Sequence, residues 1–137
     1  MFSLNDPGPL VSWSVLDHER RPKLGWSAVR EACRPVIVVA DRPPAIVTTG
    51  EVIRLDVHVV NDLRRQIDAA DVTVVAAWPG GRRRWRFAGV VEADAVDKVG
   101  TIELEVPNTL GGLAFDLTLT AGDVQATNHY TAAITTA

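Results

Sequence analysis

Apolar and polar residues alternate with a period of two along most of the chain after residue 35. In residues 52–60, the apolar set Ile53, Leu55, Val57 and Val59 alternates with charged or polar residues. A period of two predicts a β-strand that buries one of its faces. Further short apolar runs, alternating in most cases and separated by turn-forming residues, occupy residues 36–40, 72–78, 85–89, 101–106, 113–119 and 124–130.

These runs predict seven short strands in about 100 residues, which is typical of an immunoglobulin-like β-sandwich rather than an α/β fold. We therefore expect an all-β fold, a sandwich of about seven strands preceded by a short segment with one helix. Cys33 is the single cysteine, so the chain has neither an internal disulfide nor a zinc site built from cysteines.

The first 34 residues have a different pattern. We expect a helix over residues 22–33, because Trp26, Val29 and Cys33 then share one apolar face and a proline suits the first turn. Arg34 precedes a proline, which ends the helix. On this interpretation Cys33 is a small buried hydrophobic residue. We assign residues 1–34 and 35–137 to separate structural units.

Composition and charge narrow the class of protein. The chain has 137 residues, 47% of them hydrophobic and 23% charged, and a net charge of −3. These values suit a globular domain and argue against binding of nucleic acid through bulk positive charge. We find neither a signal-like start nor an apolar run long enough to cross a membrane. With no disulfide to form, a cytoplasmic location is favoured, and we expect neither nucleic acid nor membrane as partner.

Spacing of reactive residues indicates no catalytic or metal site and no cofactor. The histidines His18, His58 and His129 are scattered without a metal-ligand spacing. No serine lies in a Gly-x-Ser-x-Gly turn. Glu103 and Glu105 are expected on the outer face of one strand, where no cleft is evident.

The run Arg82-Arg83-Arg84-Trp85-Arg86 interleaves arginine with an aromatic residue, a pattern used by proteins that bind single-stranded nucleic acid. On a strand, however, Arg82, Arg84 and Arg86 share one face and Trp85 shares the other with Phe87. The aromatic rings are then expected in the core, and the arginines serve as a charged edge that discourages aggregation.

Three stretches near the start resemble one region of glycoside hydrolase family 2, in its β-mannosidase and exo-β-glucosaminidase-like members. They are Phe-Ser-Leu-Asn-Asp-Pro-Gly-Pro at residues 2–9, Ser-Trp-Ser-Val-Leu-Asp-His at 12–18, and Arg-Pro-Lys-Leu-Gly-Trp-Ser-Ala-Val-Arg-Glu-Ala-Cys-Arg-Pro-Val at 21–36. In that family such residues form the last strand of a TIM barrel, a loop and the last barrel helix, after which the chain enters a β-sandwich.

The resemblance implies that residues 1–34 are the remnant of a catalytic barrel whose parent hydrolyses terminal β-linked sugars with two glutamates. Those glutamates belong to earlier barrel strands, so this chain should be inactive alone. Asn5 and Asp6 would end the last strand, where barrel enzymes contact substrate. The alternative is that these two residues simply form a turn before Pro7. The family usually has an aromatic residue near Phe2 and Ser3, and this chain departs from that pattern.

The expected function is structural support of the barrel by a non-catalytic domain, and the alternative is a carbohydrate-binding module. The expected partners are accordingly the remainder of the parent glycosidase, or carbohydrate. If the barrel is absent, we expect self-association through Trp13, Leu16 and Trp26, because apolar side chains would then be left uncovered.

Overall fold

Eight strands and one helix occur in the part of the chain that this computed structural model describes, residues 3–10 and 12–136. The helix is α1 (Trp26–Ala32). The strands are β1 (Val36–Ala40), β2 (Ile46–Thr48), β3 (Val52–Asn61), β4 (Ile67–Trp78), β5 (Gly81–Val91), β6 (Ala95–Glu105), β7 (Gly111–Ala121) and β8 (Val124–Thr135). Phe2, which entered the family comparison, lies outside the described residues. The chain divides into two units, residues 1–34 and 35–137.

The second unit is a β-sandwich, and the predicted all-β, immunoglobulin-like fold class is confirmed. A three-stranded sheet has the order β1-β3-β6, and a five-stranded sheet has the order β2-β8-β7-β4-β5. All pairs are antiparallel except β2 with β8, which is parallel. β5 and β6 are therefore edge strands of different sheets.

The core lies between the two sheets and consists of the apolar sets that alternate in the sequence. Its largest fully buried side chains are Phe115, Ile102, Leu113, Leu117 and Leu119. The aromatic residues of the strands that are not fully buried pack against this core, namely Trp78, Trp85, Phe87 and Tyr130. Burial of the alternating faces explains why the sequence pattern identifies these strands.

Register shifts explain why β4 and β6 are longer than predicted. The pairing of β3 with β6 shifts between Val57 and His58, and that of β4 with β5 shifts between Ile67 and Ala70. An irregularity of this kind changes which alternate positions face the core. The period of two is therefore interrupted, and sequence periodicity found only the regular half of each strand.

The helix is shorter than expected, and the prediction for Cys33 was wrong. α1 begins at Trp26 rather than near residue 22, ends at Ala32, and has no buried residue. Cys33 follows as the C-cap and is exposed. The prediction assumed a longer helix with a covered apolar face. The single helix of the described residues has seven residues and is too short to span a membrane.

Candidate functional site

The first unit is organised around Leu16, which brings three separate stretches of chain together. Leu16 forms a parallel bridge with Asn5 and an antiparallel bridge with Pro22. The amide of Asp6 donates a hydrogen bond to the carbonyl of Leu16 at 3.0 Å. The side chains of Asp6 and Lys23, which follow the two bridged partners, are thereby placed close to each other.

A buried carboxylate lies at the centre of this unit. The Asp6 side chain is 3% exposed, and the Lys23 Nζ lies 2.7 Å from its Oδ2. The hydroxyls of Ser12 and Ser14 lie 2.5 Å from its Oδ1, close enough to donate hydrogen bonds. Lys23 Nζ also lies 3.0 Å from the Ser14 hydroxyl and 3.2 Å from the Ser12 carbonyl. We call these four residues the Asp6 cluster.

The hydrogen bond from Lys23 holds the pKa of Asp6 well below its usual range, with further contributions from Ser12 and Ser14. The carboxylate is therefore ionised at neutral pH and cannot serve as a general acid there. Lys23 Nζ contacts both the Asp6 carboxylate and the Ser14 hydroxyl, so it is engaged within the cluster. The chemistry of the Asp6 cluster is thus that of an internal charge pair that shapes a loop.

The two residues predicted to contact sugar differ in their surroundings. The Asp6 carboxylate is engaged by Ser12, Ser14 and Lys23, while Asn5 is half-buried and its amide donates to the Asp6 carbonyl at 3.1 Å. Sequence reasoning did not assemble the Asp6 cluster. The available signal was the presence of its members in the Ser-Trp-Ser and Pro-Lys stretches that carry the family resemblance.

The loop shaped by this cluster presents Trp13 to solvent. Trp13 stands between Ser12 and Ser14 and is 89% exposed. Leu10 and Leu24 of the same unit are also exposed. Of the three residues expected to be uncovered, Trp13 is exposed, whereas Leu16 and Trp26 are half-buried.

The second unit offers a histidine and a carboxylate side by side, without a nucleophile. His129 Nδ1 lies 2.7 Å from an Asp116 oxygen. His129 lines a surface groove of about 360 Å³ together with Arg42 and Thr131. No hydrogen bond of the described residues joins the Thr131 hydroxyl to His129, so the serine-protease type of activation is not assembled there. Among residues 3–10 and 12–136, no three metal-binding side chains are clustered.

Two charged residues that the sequence singled out, Glu103 and Arg86, lie in exposed ion pairs. Glu103 is paired with Arg54 at 2.9 Å, and both side chains are more than half exposed. Arg86 contacts both carboxylate oxygens of Asp71 at 2.5–3.0 Å. The Arg86 hydrogen bond lowers the pKa of Asp71. Surface pairs of this kind contribute little to stability.

No family model and no curated protein matches this chain. Solved structures do match it. The CARDB domain of the PF1109 protein from Pyrococcus furiosus, crystallised with di-metal ions, is 17% identical with a TM-score of 0.53, covering 73% of this chain and 87% of that chain. The alkylpurine DNA glycosylase AlkC of Pseudomonas fluorescens is 12% identical with a TM-score of 0.53, covering 73% of this chain and 30% of that one. At these identities the likeness shows the fold alone.

Proposed function

We propose that this chain is the C-terminal region of a family 2 glycoside hydrolase similar to the β-mannosidases. In this proposal residues 35–137 form a non-catalytic sandwich that supports the catalytic barrel. Residues 1–34 supply the last strand and helix of that barrel. The parent hydrolyses terminal β-glycosidic bonds with two glutamates from earlier strands, and this chain contributes no catalytic residue.

The observation that carries the proposal is the uncovered apolar surface of the first unit. Trp13 is 89% exposed, Leu24 is fully exposed, and α1 buries none of its residues. The same unit holds its Asp6 carboxylate 3% exposed within a set of short hydrogen bonds. The segment is thus held by internal polar contacts and still exposes large apolar side chains. Such exposed apolar surface is typical of a region that packs against another part of a protein.

Coverage by a barrel explains both properties together. The Asp6 cluster connects the loop that carries Trp13 to the chain near Asn5, so the loop has a defined shape before it is covered. An apolar side chain that is already held in place loses less conformational entropy when its partner packs against it.

The alternative, a carbohydrate-binding module, has one favourable observation, which is the exposed ring of Trp13. Sugar rings stack on exposed aromatic faces. In the sandwich, however, Trp78, Trp85, Phe87 and Tyr130 pack against the core, and Phe115 is 1% exposed. The described part of the sandwich therefore presents no aromatic platform, and the supporting role is the better proposal.

The decisive experiment is to determine the coding sequence upstream of codon 1. A reading frame that continues into a barrel with two catalytic glutamates supports the proposal, and an in-frame stop codon that makes this chain a free-standing protein contradicts it. A calorimetric titration with mannan and chitosan fragments tests the alternative. Binding at millimolar affinity or tighter that is lost in Trp13→Ala would favour the carbohydrate-binding module.

The uncovered surface also predicts behaviour of the isolated chain. We expect it to self-associate in sedimentation velocity, and the double variant Trp13→Ser/Leu24→Ser to be monomeric. The matched control Ile46→Ser/Val96→Ser removes two exposed apolar side chains from the sandwich and should leave the self-association unchanged. A monomeric wild-type chain, or equal effects of the two double variants, would contradict this assignment of the surface.

A further inference from the structure

The edge strand β5 concentrates positive charge in a protein whose net charge is −3. Seven of its eleven residues are exposed, including Arg82, Arg83, Arg84 and Arg86. Arg86 is paired with Asp71. Among the described residues, the other three arginines form no ion pair. Three adjacent arginines on this strand therefore have no carboxylate partner in an ion pair, and the Arg84 Nη2 donates a hydrogen bond to the Thr73 hydroxyl of β4 at 3.3 Å.

Among the described residues, no strand pairs with the free side of β5. β5 pairs with β4 on one side and ends the five-stranded sheet on the other. Its later half approaches the other sheet, where a Cβ built on Gly100 of β6 would meet the ring of Phe87. The earlier half, residues 81–86, includes all four arginines and is the part of the edge available to a further strand.

Protection against aggregation explains some charge on an edge strand, but it does not require three arginines in succession without a carboxylate partner. β6, an edge strand of the other sheet, carries a single cation, Lys98, and this cation is paired with Asp56. The two strands thus differ in whether their cations have a carboxylate partner. Charge left unneutralised on one edge is complementary to an acidic partner.

We infer that β5 binds an extended acidic peptide segment of a partner protein, which adds to the five-stranded sheet as a sixth strand. Side chains on one face of a strand repeat about every 6.8 Å, so Asp or Glu at alternate positions of the peptide would match Arg82 and Arg84. Main-chain hydrogen bonds to the free edge supply affinity, and the paired carboxylates supply specificity.

Arg86 shows the interaction that the other arginines would make. It reaches a carboxylate of the neighbouring strand β4, with Nε and Nη2 on the two oxygens of Asp71. Such forked contacts are the preferred geometry between arginine and carboxylate. Arg82 and Arg84 share the face of Arg86, and a peptide on the opposite side of β5 would bring carboxylates within the same reach.

Nucleic acid fits this edge less well than an acidic peptide does. Stacking of bases needs a free aromatic face. Trp85 is half-buried against the core, and the guanidinium of Arg83 lies 5.0 Å from the centre of its ring. The aromatic ring within the arginine run therefore already contacts the core and Arg83.

The test uses the full chain and a ten-residue peptide that has Glu at alternate positions and Thr between them. The control is a peptide of the same composition in which the glutamates are contiguous. Fluorescence anisotropy at low and high salt measures binding, and hydrogen exchange locates it. We expect the alternating peptide to bind more tightly than its isomer, and we expect this binding to weaken in high salt. The bound peptide should protect the backbone amides of residues 81–86 from hydrogen exchange.

The variant Arg82→Ser/Arg84→Ser should weaken binding about tenfold, which corresponds to about 0.7 kcal/mol for each charge. The matched variant Arg42→Ser/Arg64→Ser removes two exposed arginines away from this edge and should leave binding unchanged. The inference would be overturned if both variants lost the same amount of affinity for the peptide, or if the isomer bound as tightly as the alternating peptide. It would also be overturned if amide protection were confined to other strands, or if oligothymidylate bound more tightly than the peptide. Pairing of β5 with a second copy, seen as an Arg82- and Arg84-dependent dimer, would overturn it as well.

Discussion

The contact between Gly100 on β6 and the ring of Phe87 on β5 permits a quantitative test of how the two sheets meet. A Cβ built on Gly100 would lie 2.2 Å from Cδ1 and Cε1 of Phe87 and 2.8 Å from its Cγ. These are ring atoms near the root of the side chain, so the whole ring must move. The variant Gly100→Ala should therefore force apart two packed strands.

The expected magnitude follows from two opposing effects. Overpacking of a core contact costs about 1–3 kcal/mol of unfolding free energy. Replacing glycine by alanine within a strand otherwise stabilises by about 0.5–1 kcal/mol. In the Phe87→Ala background the clash is removed, and Gly100→Ala should then be neutral or stabilising. The stabilisation from alanine is present in both backgrounds and cancels, so the coupling free energy between the two sites should be about 1–3 kcal/mol.

Chemical denaturation of the four proteins of this double-mutant cycle measures the coupling, and thermal unfolding provides a second readout. For a domain of about 100 residues, 1 kcal/mol corresponds to about 4–8 °C in Tm. Gly89→Ala on β5 is the matched control, because a Cβ there meets nothing within 4 Å. Equal destabilisation by Gly100→Ala in the presence and absence of the Phe87 ring would show that the two side chains do not clash.

Three further predictions concern other sites. Asn61 is fully buried, and its side chain forms hydrogen bonds with three backbone groups at 2.8–3.1 Å. Asn61→Ala should therefore lower the unfolding free energy by about 2–3 kcal/mol in chemical denaturation. The control Asn108→Ala changes an exposed asparagine and should leave the unfolding free energy unchanged. Hydrogen bonds lower the pKa of Asp6 in the folded chain. The Asp6 carboxylate therefore stabilises the fold fully at pH values above its unfolded pKa of about 4, and this stabilisation is lost as the pH falls below that value. Hydrogen-exchange protection of its amide should decrease with acidification, and Asp6→Asn should remove most of that dependence. Cys33 is exposed, and a maleimide should label it in the native chain as fast as in denaturant; slow labelling would contradict its placement.

The strands and their buried faces were predictable from the sequence because burial of one face imposes a period of two on the residues themselves. Ile53, Leu55, Val57 and Val59 alternate in the sequence and are all at most 5% exposed. The strand β2 was missed, since three residues are too few to show a period of two. The family resemblance and the roles of Asn5 and Asp6 remain predictions.

Contacts between distant residues depended on the tertiary structure. Asp6, Ser14 and Lys23 are up to 17 positions apart in the sequence, and a bridge through Leu16 brings them together. No local pattern encodes such a contact, because it depends on how three stretches of backbone align. The exposure of α1 was likewise not predictable, since an apolar helical face has the same sequence pattern whether or not a partner covers it. Local periodicity therefore determines the sandwich, whereas the Asp6 cluster and the uncovered surface around Trp13 arise from long-range packing.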